Sequence, residues 1–170
     1  MISLGLNATD QKKFHALLAA NHHIAISVSL MDLGHNYISD LSPVFLSGQV
    51  TVDINADVSR SASLTFLDPN HKMALDSSSP ADAAMFIDRM IGITYTVYSP
   101  DRTFWVSVPV FTGPITKMDR DWVTVNIECM GKEVLALDSL WSVKSYRKGA
   151  LRTDVVRDLM MTTGETRFTF

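Results

Sequence analysis

Between residues 23 and 130 large apolar side chains return at every second position, burst after burst, with turn-forming residues between the bursts. In HHIAISVSLMDL the residues Ile24, Ile26, Val28 and Leu30 share one phase. In GQVTVDINADVSRSASLTFLD the phase is held by Val50, Val52 and Ile54, then by Ala62, Leu64 and Phe66. IGITYTVYS, TFWVSVPVFTG and DWVTVNIECM repeat the pattern, with GHNY, PDR and KMDRD as the intervening connections. Successive side chains of a strand point to opposite faces, so each burst reads as a strand with one buried face. Val52, Ile54, Leu64 and Phe66 are accordingly expected in the core.

Helical spacing occurs only at the two flanks. TDQKKFHALLAAN offers Thr9 or Asp10 as N-cap, Phe14, Leu17 and Leu18 on one face, and a helix over about residues 10–21. TDVVRDLMMTTG offers Thr153 as N-cap, Val155, Val156, Leu159 and Met160 on one face, and Gly164 as C-cap. Strands separated by short turns and flanked by single helices define a mainly β chain. The expected fold is an antiparallel β-barrel or sandwich with an N-terminal and a C-terminal helix. The expected organisation is a helical segment over residues 1–22, a β-domain over 23–140, and a linker, short helix and start of a further element over 141–170.

Chemistry-bearing residues are present but poorly spaced for catalysis. Asp53, Asn55 and Asp57 match the opening of an EF-hand calcium loop, yet Val58 stands where the loop needs Gly and Leu64 where it needs Glu. The flanks alternate as strands, so the run reads as a hairpin turn. His22 and His23 are adjacent and diverge on a strand; His15, His35 and His71 lie apart, and no H-x-x-x-H or C-x-x-C spacing occurs. Ser77, Ser78 and Ser79 lack a nearby His and a G-x-S-x-G setting. Cys129, the single cysteine, alternates with apolar neighbours and reads as a buried thiol. Asp119 and Asp121 sit in an expected hairpin connection. These absences point away from an enzyme, a metal site and a cofactor.

Composition narrows the partners. A net charge of −3, from 15 basic and 18 acidic residues, gives no footprint for nucleic acid or a membrane surface. No apolar run approaches the roughly 20 residues that span a bilayer. MISLGLNATDQKKF lacks the basic and apolar regions of a secretion signal. The expectation is a protein made in a reducing cytoplasm. NAT at Asn7 matches a glycosylation pattern that carries no meaning there. One basic cluster stands out, Lys144, Arg147, Lys148 and Arg152 in KSYRKGALR, with Trp141 and Tyr146 interleaved. On an acidic chain it reads as a solvated face or subunit contact.

The run SGQVTVDINADVSRSASLTFLDPN resembles the first long hairpin of siphophage tail hub and minor tail proteins: a Gly, an alternating strand, a polar break with Arg, and a second strand ending in Asp. Gly48, Arg60 and Asp68 hold those places here. DWVTVNIECMGKEVLAL resembles a later strand of the family, and YRKGALRTDVVRDLMMTTGE its basic link and short amphipathic helix. The resemblance covers about residues 44–68 and 103–165. It implies a β-barrel of tail-tube type in a ring at the tail tip, located in the virion. The implied partners are further copies of the chain, as a trimer, and neighbouring tail tube, distal tail and tape measure proteins.

Interface residues expected on this reading are Trp141, Tyr146, Arg147, Lys148, Arg152, Phe168 and Phe170. The last two belong to ETRFTF, an alternating aromatic segment without a following strand in the sequence. Long strands carrying Ser and Thr where edges normally show charge also fit subunits paired through their sheets. The alternative is a carbohydrate- or ligand-binding β-domain with Tyr95, Tyr98 and Trp105 as a stacking platform.

Overall fold

A computed structural model describes residues 7–53, 55–56, 58–74, 84–85, 88–137, 149 and 151–162. Helix α1 spans Ala8–Ala19. Its N-cap is Asn7, whose side-chain oxygen accepts the Asp10 N–H at 2.8 Å, while the Asn7 amide donates to the Asp10 carboxylate at 2.8 Å. That reciprocal pairing moves the start of the helix ahead of Thr9 and Asp10. Nine strands follow among the described residues: β1 His23–Asp32, β2 Tyr37–Asp40, β3 Phe45–Val52, β4 Arg60–Leu67, β5 Met73–Ala74, β6 Ala84–Met85, β7 Arg89–Tyr98, β8 Trp105–Asp121 and β9 Thr124–Met130. A single turn α2, Val134–Leu137, and helix α3, Arg152–Thr162, complete the described chain. The α3 helix already contains Thr153, and the Leu151 carbonyl takes its first N–H groups. Gly164 lies outside the described residues.

Seven strands form one antiparallel sheet in the order β2-β1-β7-β8-β9-β4-β3, and β5 and β6 form a small parallel pair. The chain is therefore mainly β, but the sheet is open: among the described residues no ladder joins β2 to β3. A 3-10 turn, Ser42–Val44, links those two edge strands instead. The barrel of the sequence reading gives way to a sheet folded over on itself in sandwich fashion.

The fold-over is made by β8, which is 17 residues long. Its first part pairs with β7 and its last part with β9, with register irregularities on both sides of the changeover. Pro114 and Gly113 sit at that changeover. A Cβ at Gly113 would meet the Met130 carbonyl oxygen at 1.9 Å, so only glycine permits the crossing. The connection expected at KMDRD is strand, and the hairpin turns instead at Trp122 and Val123.

The enclosed core joins both halves. Val28 and Leu30 of β1, Ile91 and Ile93 of β7 and Phe111 of β8 cluster with Leu64 and Phe66 of β4 and Val125 and Ile127 of β9. Further along the same face, Phe14 and Leu17 of α1 cover Val97, Val106 and Val108. Leu64 and Phe66 point into the core as the alternation requires. Val52 does not: it pairs with Arg60 at the end of the ladder and is 59% exposed, because β3 runs on past the core. Ile54 lies outside the described residues.

Candidate functional site

The residues that carry chemistry are dispersed. Cys129 is buried, and desolvation pushes its thiol up to about 12, which suits packing and not nucleophilic attack. His22 bonds the Ala20 carbonyl at 2.8 Å, and His35 approaches the Lys132 ammonium at 3.1 Å. Asp53 accepts the Asn55 N–H at 2.9 Å, and its own N–H bonds Ser59 at 2.8 Å, closing a hairpin. Asp57 lies outside the described residues. Among those described, no three His, Cys, Asp or Glu side chains gather as a metal shell.

One buried carboxylate organises a local knot. Asp68 accepts the N–H groups of Lys72 at 2.7 Å and Met73 at 3.0 Å, and the Arg120 guanidinium at 2.9 Å. Arg120 donates in addition to the Met73 carbonyl and the His71 Nδ1. This network ties the chain after β4 to the far end of β8. Its hydrogen bonds join a carboxylate and a guanidinium to backbone groups of one loop, which fixes that loop in place.

What the fold leaves available is backbone. On β3, Asp53 and Ser59 bond at the hairpin end, so by alternation Gly48, Val50 and Val52 turn their N–H and C=O groups away from β4. No described strand takes them. The sequence of β3, FLSGQVTV, contains no charge and no proline, the usual defences of an edge. On β1, Val28 bonds Leu41 at 2.8 Å and the Ser42 hydroxyl at 2.9 Å on its β2 side. The same alternation turns Ile24 and Ile26 to that side, where residues 23–27 meet no described strand.

Two aromatic features flank these edges. Tyr98 and Trp105 face each other across β7 and β8, with ring centroids 6.4 Å apart and a tilt of 37°. Trp105 is 58% exposed. Tyr95 does not join them: it lies on the opposite face, packed against the α1 cluster. The three-ring platform is thus a pair, since residues 95 and 98 differ in strand phase. Trp122, at the β8–β9 tip, is 86% exposed with a φ of +43°, and the sequence reading missed it by placing it inside a strand. The outer face of β3, β4, β8 and β9 holds a shallow depression of about 260 Å³ lined by Gln49, Thr51, Ser61, Ser63 and Glu128. Beside it Lys117 lies 2.6 Å from Asp119 and 3.5 Å from Glu128, and the Asp119 hydrogen bond foremost raises its pKa.

Of the interface residues expected from the sequence, Arg152 is exposed at the first turn of α3. Trp141, Tyr146, Arg147, Lys148, Phe168 and Phe170 lie outside the described residues.

No protein-family description matches the sequence, and no curated protein matches it significantly. Among solved structures the chain is similar to one described as "Virion of native gene transfer agent (GTA) particle", with 12% identity and a TM-score of 0.45. The match covers 82% of this chain and 51% of that one, so this chain spans about half the length of the chain it matches.

Proposed function

We propose that this protein is a structural component of a bacteriophage tail tip, a hub or minor tail protein that assembles with copies of itself into a ring continuing the tail tube. The observation that carries this reading is the outer edge of β3, eight residues long, unpaired among the described residues and undefended. Lone domains protect such edges because they template pairing with other chains; assembly subunits use them. The sequence resemblance of residues 44–68 to the first hairpin of tail hub proteins supports the same reading, and that hairpin contains β3. On this proposal the partners are a trimeric set of copies with tail tube, distal tail and tape measure proteins, and the role is not enzymatic.

The test is light scattering coupled to size exclusion, with electron microscopy of the largest species. Val52→Pro removes an N–H that faces away from β4, so the isolated fold tolerates it while edge pairing is blocked. Rings or trimers that dissociate in Val52→Pro are expected. Wild-type monomers at every concentration, with or without a tail tube protein added, would refute the proposal.

A second reading, a carbohydrate- or ligand-binding β-domain, is favoured by the Tyr98–Trp105 pair alone, in which Trp105 is exposed and Tyr98 half-buried. Glycan-dependent quenching of tryptophan fluorescence that disappears in Trp105→Ala would support it.

A further inference from the structure

We infer that the outer edge of β1 at residues 23–27, unpaired among the described residues, accepts a strand, and that its occupant is residues 166–170 of a second copy of this chain. The edge offers the N–H and C=O groups of Ile24 and Ile26, two donors and two acceptors along about 7 Å of strand. The same two residues carry the apolar half of the site. They share a face with Val28 and Leu30, yet are 49% and 43% exposed, against none for the latter two. The cause is the placement of α1. Phe14 and Leu17 cover Val97, Val106 and Val108 on β7 and β8, leaving an apolar shelf along β1. The other face of this stretch carries His23, Ala25 and Ser27.

An added strand must therefore place large apolar side chains at alternate positions on the shelf side and polar ones on the other. The described alternating segments of this chain already pair within the sheet. TRFTF, residues 166–170, has the required pattern: Phe168 and Phe170 in one phase, Arg167 and Thr169 in the other. Phe168 and Phe170 would rest against Ile24 and Ile26, and Thr169 would lie beside Ala25 and Ser27.

The choice of a second copy as donor rests on the assembly reading above. Helix α3, which precedes the segment, supports it: Val156 and Met161 stay exposed, and an 11-residue helix is marginal in water without cover. Both the bare helix and the bare edge find their complement in a neighbouring subunit. Exchange of an element between identical copies adds contacts without requiring a new surface.

The test is a disulfide between copies. Full-length Ala25→Cys and full-length Thr169→Cys, carrying different tags, are mixed and oxidised; buried Cys129 stays in place. A cross-linked pair of unlike tags is expected, with Gln49→Cys in place of Ala25→Cys giving none. Ile26→Pro, whose lost N–H faces away from β7, should keep the melting temperature yet abolish the cross-link. In the doubly substituted chain, a disulfide closing within one molecule overturns the assignment to a second copy. Light scattering on the same samples separates two failures. Assembly without the cross-link overturns the strand assignment alone, and monomers throughout overturn the assembly reading with it.

Discussion

Asp68 allows the cost of a single side chain to be worked from its contacts. Its buried carboxylate takes three hydrogen bonds, from the backbone N–H groups of Lys72 and Met73 and from Arg120. In Asp68→Ala all three are lost: the Met73 N–H is left buried without an acceptor, whereas the Lys72 N–H is only partly buried and can turn to water. Each orphaned buried donor costs about 1–3 kcal/mol, and removing one partner of a fully buried ion pair costs about 3–5 kcal/mol. The Arg120 side chain is 30% exposed and still holds the Met73 carbonyl, so water and backbone offset part of its loss. The expected total is about 3–4 kcal/mol, lowering the melting temperature by roughly 6–16 °C for a domain of this size. Asp68→Asn keeps one acceptor oxygen but turns an NH2 toward a guanidinium, so about 2 kcal/mol is expected. Calorimetry of both variants, together with Arg120→Ala and the double variant, measures the coupling. Because the groups share one network, the double variant should cost less than the sum of the singles. Losses below about 1 kcal/mol in both Asp68 variants, with additive double-variant energies, would refute the view that this carboxylate organises the loop.

Phe66 is fully buried and meets Phe45 edge to face at 5.9 Å, so Phe66→Ala should cost about 3–5 kcal/mol by chemical denaturation. Gly113→Ala forces a methyl against the Met130 carbonyl and should destabilise by about 3 kcal/mol, with hydrogen exchange rising first along the β8–β9 ladder. With its pKa raised to about 12 by burial, the Cys129 thiol should resist a disulfide reagent at neutral pH and react only at the unfolding rate. Asp32, Asp40 and Asp101 have their carboxyl pKa lowered, chiefly by hydrogen bonds from Asn36, Ser42 and Ser99 respectively. A lowered folded pKa contributes stability that is present above the ordinary carboxylate range and lost as pH falls through the folded value. The melting temperature should therefore drop below about pH 4, less steeply in the triple Asp→Asn variant.

The strands were legible because their phase is written in large apolar residues, and phase survives whatever the sheet does. Coverage was not legible. Ile24, Ile26, Val28 and Leu30 are indistinguishable by pattern, yet Val28 and Leu30 are sealed by the opposite half of the sheet while Ile24 and Ile26 lie half open beside α1. The difference is set by where a remote helix stops. Val52 failed for the same reason, its phase being right and its position beyond the core. The Tyr95, Tyr98 and Trp105 platform failed on parity, which the sequence did contain: an odd separation divides Tyr95 from Tyr98 between two faces.

The length of β8 was hidden by its own hinge. Gly113 and Pro114 carry the composition of a break, and in an isolated hairpin they would end the strand. Here they mark the place where one strand exchanges β7 for β9 as its partner, and no local signal separates those two uses. Closure of the sheet turns on a comparable point. Pro43 is the second residue of the 3-10 turn between β2 and β3, and a proline there removes a backbone donor from the link between the two edge strands. The turn carries the chain across the gap without a ladder, so among the described residues the outer edge of β3 keeps its hydrogen-bonding groups unpaired. An uncharged edge strand of this kind is the element that the proposed assembly would pair with another strand.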